Sequence, residues 1–86
     1  MEDTQLDLHD QNIKTIEELN YVLDKFIETS YQEGHKNIRI ITGRGLHSTN
    51  RPLLKPHTQK LLQHHKRVSD YRLLNDLGSF EVLLIN

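Results

Sequence analysis

Asp7 and His9 stand two residues apart in Leu6-Asp7-Leu8-His9, a carboxylate and an imidazole at the spacing a β-strand turns to one side. Successive side chains of a strand alternate between faces. Leu6 and Leu8 packing inward therefore send Asp7 and His9 outward together, roughly 7 Å apart at their Cα atoms for a rise of about 3.3 Å per residue. At that separation the carboxylate can orient the imidazole and favour its charged form, or both can meet one phosphate or one cation. The chemistry open to such a pair is general acid–base work; the plainer alternative is an exposed charge pair on a half-solvated strand. A second cluster is Thr42-Gly43-Arg44-Gly45. Glycine lets backbone N–H groups approach an anion, and a following helix N-terminus adds positive potential. Arg44 can grip a phosphate with two parallel hydrogen bonds. A two-glycine turn alone is more often a simple connection. His47 shares this loop and is able to contact phosphate, act as an acid or bind a metal, although a lone loop histidine usually does none of these.

The elements that position these groups follow from periodicity. Gln5 to His9 alternates as a short strand with one apolar face. Thr15 and Glu18 form the pattern of a capping box, and Ile16, Leu19, Leu23, Phe26 and Ile27 recur at helical spacing, which predicts a helix over 16–33 stopped by Gly34. The β-branched run from Asn37 to Thr42 reads as a buried strand. A loop over 43–50 leads to a second helix over 53–65, with Leu54, Leu61 and Leu62 inward and Pro56 tolerated in its first turn. Strands over 68–74 and 79–85 flank a hairpin connection at Asn75-Asp76-Leu77-Gly78. The order β-α-β-α-β-β makes the first two strands a parallel pair with a right-handed crossover and puts both helices on one face of the sheet. The glycine loop then leaves the same edge as His9, the carboxyl edge where α/β sheets bind ligands. His57, His64 and His65 fall on or near the second helix. His64 and His65 are adjacent and point in different directions, so they read as surface or helix-dipole residues rather than a joint metal site.

With 86 residues, one domain over 1–86 is expected, with 1–4 outside its ordered part. The 35% hydrophobic and 27% charged composition is polar, but the apolar residues fall in ordered clusters, which argues for a folded chain. There is no cysteine, which excludes disulfides, thiolate zinc sites and a thiol nucleophile and fits a cytoplasmic setting. No apolar run is long enough to span a membrane, and Met1-Glu2-Asp3-Thr4 is too acidic for a signal peptide. The formal charge of −1 conceals an asymmetry. Residues 1–34 carry nine acidic side chains against Lys14 and Lys25; residues 35–86 carry nine basic ones against Asp70, Asp76 and Glu81. A polyanion within a Debye length of about 8–10 Å feels the basic half rather than the sum. The bland reading is that the two signs pair with each other. With 6% aromatic residues and no tryptophan, extensive base stacking is not expected, and readout of structure is favoured over readout of sequence.

At this point the motifs resemble a family. Leu6-Asp7-Leu8-His9 resembles the LDLHG motif of small MutS-related (Smr) domains, and Thr42-Gly43-Arg44-Gly45 resembles their HGxG or TGxG motif, continuing into Leu46-His47-Ser48. Leu54-Lys55-Pro56, the run from Val68 to Leu73 and Phe80-Glu81-Val82-Leu83-Leu84 fit the same pattern, so the likeness covers nearly the whole chain. The resemblance implies an α/β (α+β) two-layer sandwich with a mixed four-stranded sheet, similar to the C-terminal domain of translation initiation factor 3. It also implies binding to DNA or RNA, and endonuclease activity that nicks DNA or cuts RNA, in some members on the ribosome. Carried onto this chain, Asp7 and His9 are the catalytic residues. Thr42, Gly43, Arg44, Gly45 and His47 bind the phosphate, with Arg51 and Lys55 beside them. The alternative is a non-catalytic nucleic-acid or ribosome-binding module, and a monomer is assumed. The family usually has glycine after the histidine, where this chain has Asp10. A carboxylate there weakens polyanion binding or recruits a divalent cation; Mg²⁺ or Mn²⁺ at Asp7 and Asp10 is expected if DNA is the substrate.

Overall fold

The computed structural model describes residues 4–43, 54–75 and 78–86. Arg44, Gly45, His47 and Arg51, the centre of the hairpin connection and the Asp10 side chain lie outside the described residues. The chain runs β1 (Gln5–Asp7), a 3₁₀ turn (Leu8–Asp10), α1 (Ile16–Gln32), β2 (Asn37–Ile41), α2 (Leu54–His64), β3 (Val68–Leu73) and β4 (Ser79–Leu84). The four strands form one mixed sheet in the order β1-β2-β4-β3. β1 and β2 are parallel, with Leu6 opposite Ile40 and Asp7 opposite Ile41. β2 and β3 each lie antiparallel to β4. The expected two helices and mixed four-stranded sheet are therefore present, with elements ending within one residue of the sequence reading except at β1, which stops two residues early.

The helix starts and stops have local causes. At the head of α1, Thr15 Oγ1 accepts the Glu18 N–H at 3.1 Å, while Glu18 Oε1 accepts the N–H groups of Thr15 at 3.1 Å and Lys14 at 2.8 Å. The capping box thus satisfies donors that have no helical acceptor. Thr15→Ala is expected to cost about 1 kcal/mol, read as a shift in the denaturant midpoint. At the other end, Gly34 adopts φ +85° and its N–H donates to Tyr31 O, the left-handed closure that favours glycine.

Leu19, Leu23 and Ile27, one helical turn apart, are fully buried. They pack with Leu62 of α2 against Ile38 and Ile40 of β2 and Phe80, Val82 and Leu84 of β4. Each such side chain contributes roughly 1.5–3 kcal/mol by leaving water. Tyr71 meets Phe80 edge to face at 6.0 Å. The opposite parity of the strands faces away from both helices. There Glu81 accepts hydrogen bonds from Asn37 Nδ2 at 3.1 Å and Arg72 Nε at 2.7 Å, and these two contacts, Asn37 first, hold its carboxyl below the usual glutamate value. Among the described residues no helix is long and apolar enough to cross a membrane.

Candidate active site

The first correction concerns where β1 stops. The alternation predicts a strand through His9, but the strand ends at Asp7 and the chain turns at once into the 3₁₀ segment. The cause is the Asp7 side chain, which caps the turn by accepting the His9 backbone N–H at 2.9 Å, a competition that short acidic side chains win at element ends. Leu8 still reaches the core. Asp7 shares the register parity of Arg39 and Ile41, on the sheet face the helices leave open. His9, however, does not project beside it from a strand; it sits beyond the strand end, exposed, in the turn. Asp7 therefore reaches His9 through the backbone and fixes the turn that presents the imidazole.

The turn brings His9 to the second motif. Gly43 follows β2 with φ +74°, and the imidazole lies against it. A β-carbon added at Gly43 would overlap His9 Nε2 and stand 2.8 Å from Cδ2 and 3.1 Å from Cε1. Glycine is required here twice, for the left-handed backbone and for the room the ring occupies. The two motifs, separated by more than thirty residues in sequence, are in contact because β1 and β2 are parallel neighbours with their carboxyl ends level.

Thr42 and Gly43 do not offer their amides to an anion as expected. Both N–H groups donate to Gly78 O, at 2.8 and 3.0 Å. Thr42 is 2% exposed, and its hydroxyl donates toward the carbonyls of Gly43 at 2.9 Å and Gly78 at 3.3 Å. Thr42 thus holds the base of the loop, and Gly43 accommodates the imidazole. Gly78 was missed because it works through its carbonyl, which no side-chain pattern reveals. Lys55 is half-buried in the first turn of α2.

A second departure is His65, read from sequence as a surface residue. Its side chain is 7% exposed and Nε2 lies 2.8 Å from Asp24 Oδ1, while Nδ1 accepts the Arg67 N–H at 3.1 Å. Arg67 also pairs with Glu28 at 3.3 Å and stacks its guanidinium 4.1 Å from the Tyr31 ring centroid. Some of the basic half thus pairs with α1. Asp24, Glu28 and His65 bring three potential metal ligands within mutual reach. The hydrogen bond to Nδ1, however, assigns the proton to Nε2, which donates to Asp24. That arrangement ties α1 to the end of α2 and does not suit metal ligation. Asp7 belongs to no such three-ligand set among the described residues; Mg²⁺, which commonly takes only one or two protein carboxylates beside waters and substrate phosphates, would use Asp7 as one of them.

The Smr domain family model matches residues 6–79. No curated protein matches the chain. Among solved structures, it is similar to YdaL, a stand-alone small MutS-related protein from Escherichia coli, with TM-score 0.82 and 21% identity over 100% of this chain and 67% of that one. It is similar to the Smr domain of Thermus thermophilus MutS2, with TM-score 0.79 and 21% identity over 96% and 99% of the two chains. The human small-MutS related domain is 32% identical over 93% of this chain and 99% of that one, with TM-score 0.53.

Proposed function

Because this chain belongs to the Smr domain family, whose members are in general nucleic-acid-binding, we propose that it is an RNA endonuclease that cleaves by metal-free transesterification. The observation that carries the reading is the exposed His9 imidazole seated on Gly43, at the head of the loop bearing Arg44 and His47. An exposed imidazole at the head of a loop that carries Arg44 and His47 suits an attack whose nucleophile is already in the substrate. RNA supplies that nucleophile in its 2′-hydroxyl; DNA does not, and would require an activated water.

In the reaction, His9 takes the 2′-hydroxyl proton as the oxygen attacks the adjacent phosphorus. The bond to the 5′-oxygen breaks, His47 returns a proton to that leaving oxygen, and the products end in a 2′,3′-cyclic phosphate and a 5′-hydroxyl. Arg44, with the amides from Gly45 onward, neutralises the charge on the phosphorane. Arg51 and Lys55 hold flanking phosphates. Asp7 is a positioning residue that sets the turn under His9, and Thr42 and Gly78 anchor the loop.

The test is incubation of the domain with structured RNA and with supercoiled plasmid, each in EDTA or in Mn²⁺. Cleavage of the RNA in EDTA, with cyclic-phosphate ends, is the expected result. Nicking of plasmid in Mn²⁺ alone would overturn the metal-free RNA reading in favour of DNA hydrolysis. Binding of both nucleic acids with cleavage of neither would leave a non-catalytic module.

A further inference from the structure

From Gly34 to Ser69 the chain contains no Asp or Glu, against Lys36, Arg39, Arg44, Arg51, Lys55, Lys60, Lys66 and Arg67 and five histidines. The whole of α2 lies inside this stretch. His57, Lys60 and His64 recur at spacings of three and four, so they share one side of the helix. With Leu61, and with Ile16 and Asn20 of α1, they line an open groove of about 480 Å³ between the helices. The acidic residues of the first turn of α1, Glu17 and Glu18, line a different depression together with Tyr21. Asp24, about two turns further along α1, is taken by His65. His57, Lys60 and His64 have no acidic partner among the described residues. The groove therefore has a partly apolar floor and a rim formed by the Lys60 ammonium and two imidazoles.

Its direction relates it to the site. β3 begins directly after α2, the Val68 N–H donating to His65 O, and runs parallel to β2 because both are antiparallel to β4. The end of α2 thus lies at the sheet edge opposite His9, and the helix runs away from the site. Eleven residues span about 16 Å, roughly five nucleotides of one strand at 3.4 Å each.

We infer that the α1–α2 groove is a second contact for the nucleic-acid backbone, taking phosphates that flank the stretch held at His9. The inference rests on the nucleic-acid reading and names where the substrate continues. Phosphates meet Lys60 and the two histidines, and Ile16, 42% exposed, gives a ribose or base an apolar surface.

The experiment measures fluorescence anisotropy of a fluorescein-labelled RNA hairpin with a single-stranded tail across a salt series. Wild type is compared with Lys60→Glu, with the triple variant His57→Gln, Lys60→Glu, His64→Gln, and with Lys25→Glu. Lys25 is the control: it makes the same charge change on α1, beside Tyr21 and away from the groove. Lys60, His64 and Lys25 are exposed and His57 is half-buried, so Lys60→Glu and Lys25→Glu keep the wild-type unfolding midpoint, and the triple variant is compared at temperatures below its own. Lys60→Glu is expected to weaken binding several-fold and lower the log–log salt slope by about 1. The triple variant is weaker still, and the control stays near wild type. Equal losses in Lys60→Glu and Lys25→Glu, or no loss in either, would overturn the groove while leaving the domain a nucleic-acid binder. Wild type that fails to bind, or binds independently of salt, would overturn both.

Discussion

His9→Ala is expected to lower the rate of RNA cleavage by about 10²–10⁴-fold, the usual contribution of a positioned proton-transfer group, while affinity for the same RNA stays nearly unchanged. The separation follows from where the side chain sits. The imidazole is exposed and rests on a glycine, so its removal opens no buried cavity and leaves the core intact. The cationic groups of the loop and α2 remain to hold the phosphates. Single-turnover cleavage at saturating protein, with anisotropy on the same RNA, reads the two effects apart. A variant that cuts as fast as wild type would remove His9 from the reaction. One that loses affinity in step with rate would make it a binding residue.

Gly43→Ala tests the contact between the two motifs and is expected to damage both stability and cleavage. A backbone at φ +74° costs a residue with a β-carbon about 1–2 kcal/mol. The new methyl group would also stand where the His9 ring is, so the ring must swing away or the loop must move. Cleavage should fall toward the His9→Ala level, and the double variant should be little slower than either single one, because both remove the same group from its place. Gly34→Ala separates strain from displacement. Gly34 has a comparable φ of +85°, but a β-carbon there meets nothing within 4 Å. It should lower the unfolding midpoint and leave cleavage alone. If Gly43→Ala behaves like Gly34→Ala, the imidazole is not held by that glycine.

How the candidate site assembles is partly legible in the residues alone. Two short motifs far apart in the chain had to meet if the first two strands were parallel, and the crossover helix between them required that they were. The finer geometry was not legible. Strand alternation sent His9 out beside Asp7, whereas the Asp7 carboxylate bonds the His9 N–H and ends the strand. Periodicity carries no account of a side chain competing with the ladder. Thr42 and Gly43 read as anion binders because their residue types allow it, but whether an amide is free depends on which carbonyl folds against it, and Gly78 arrives from the far side of the chain.

The sequence by itself determined what depends on neighbours a turn or a pleat away. The capping box at Thr15, the buried stripe of α1, the glycine stop, the strand positions of β2 and β4 and the concentration of positive charge around α2 all belong there. Only the tertiary structure decided what depends on residues brought together from distant parts of the chain: His9 against Gly43, the loop base tied to Gly78, and His65 held by Asp24 across 41 positions. The physical reason is that secondary structure follows from local sterics and hydrophobic spacing. Packing between elements and bonds to backbone carbonyls are set by chain topology, and no spacing of residue types encodes them.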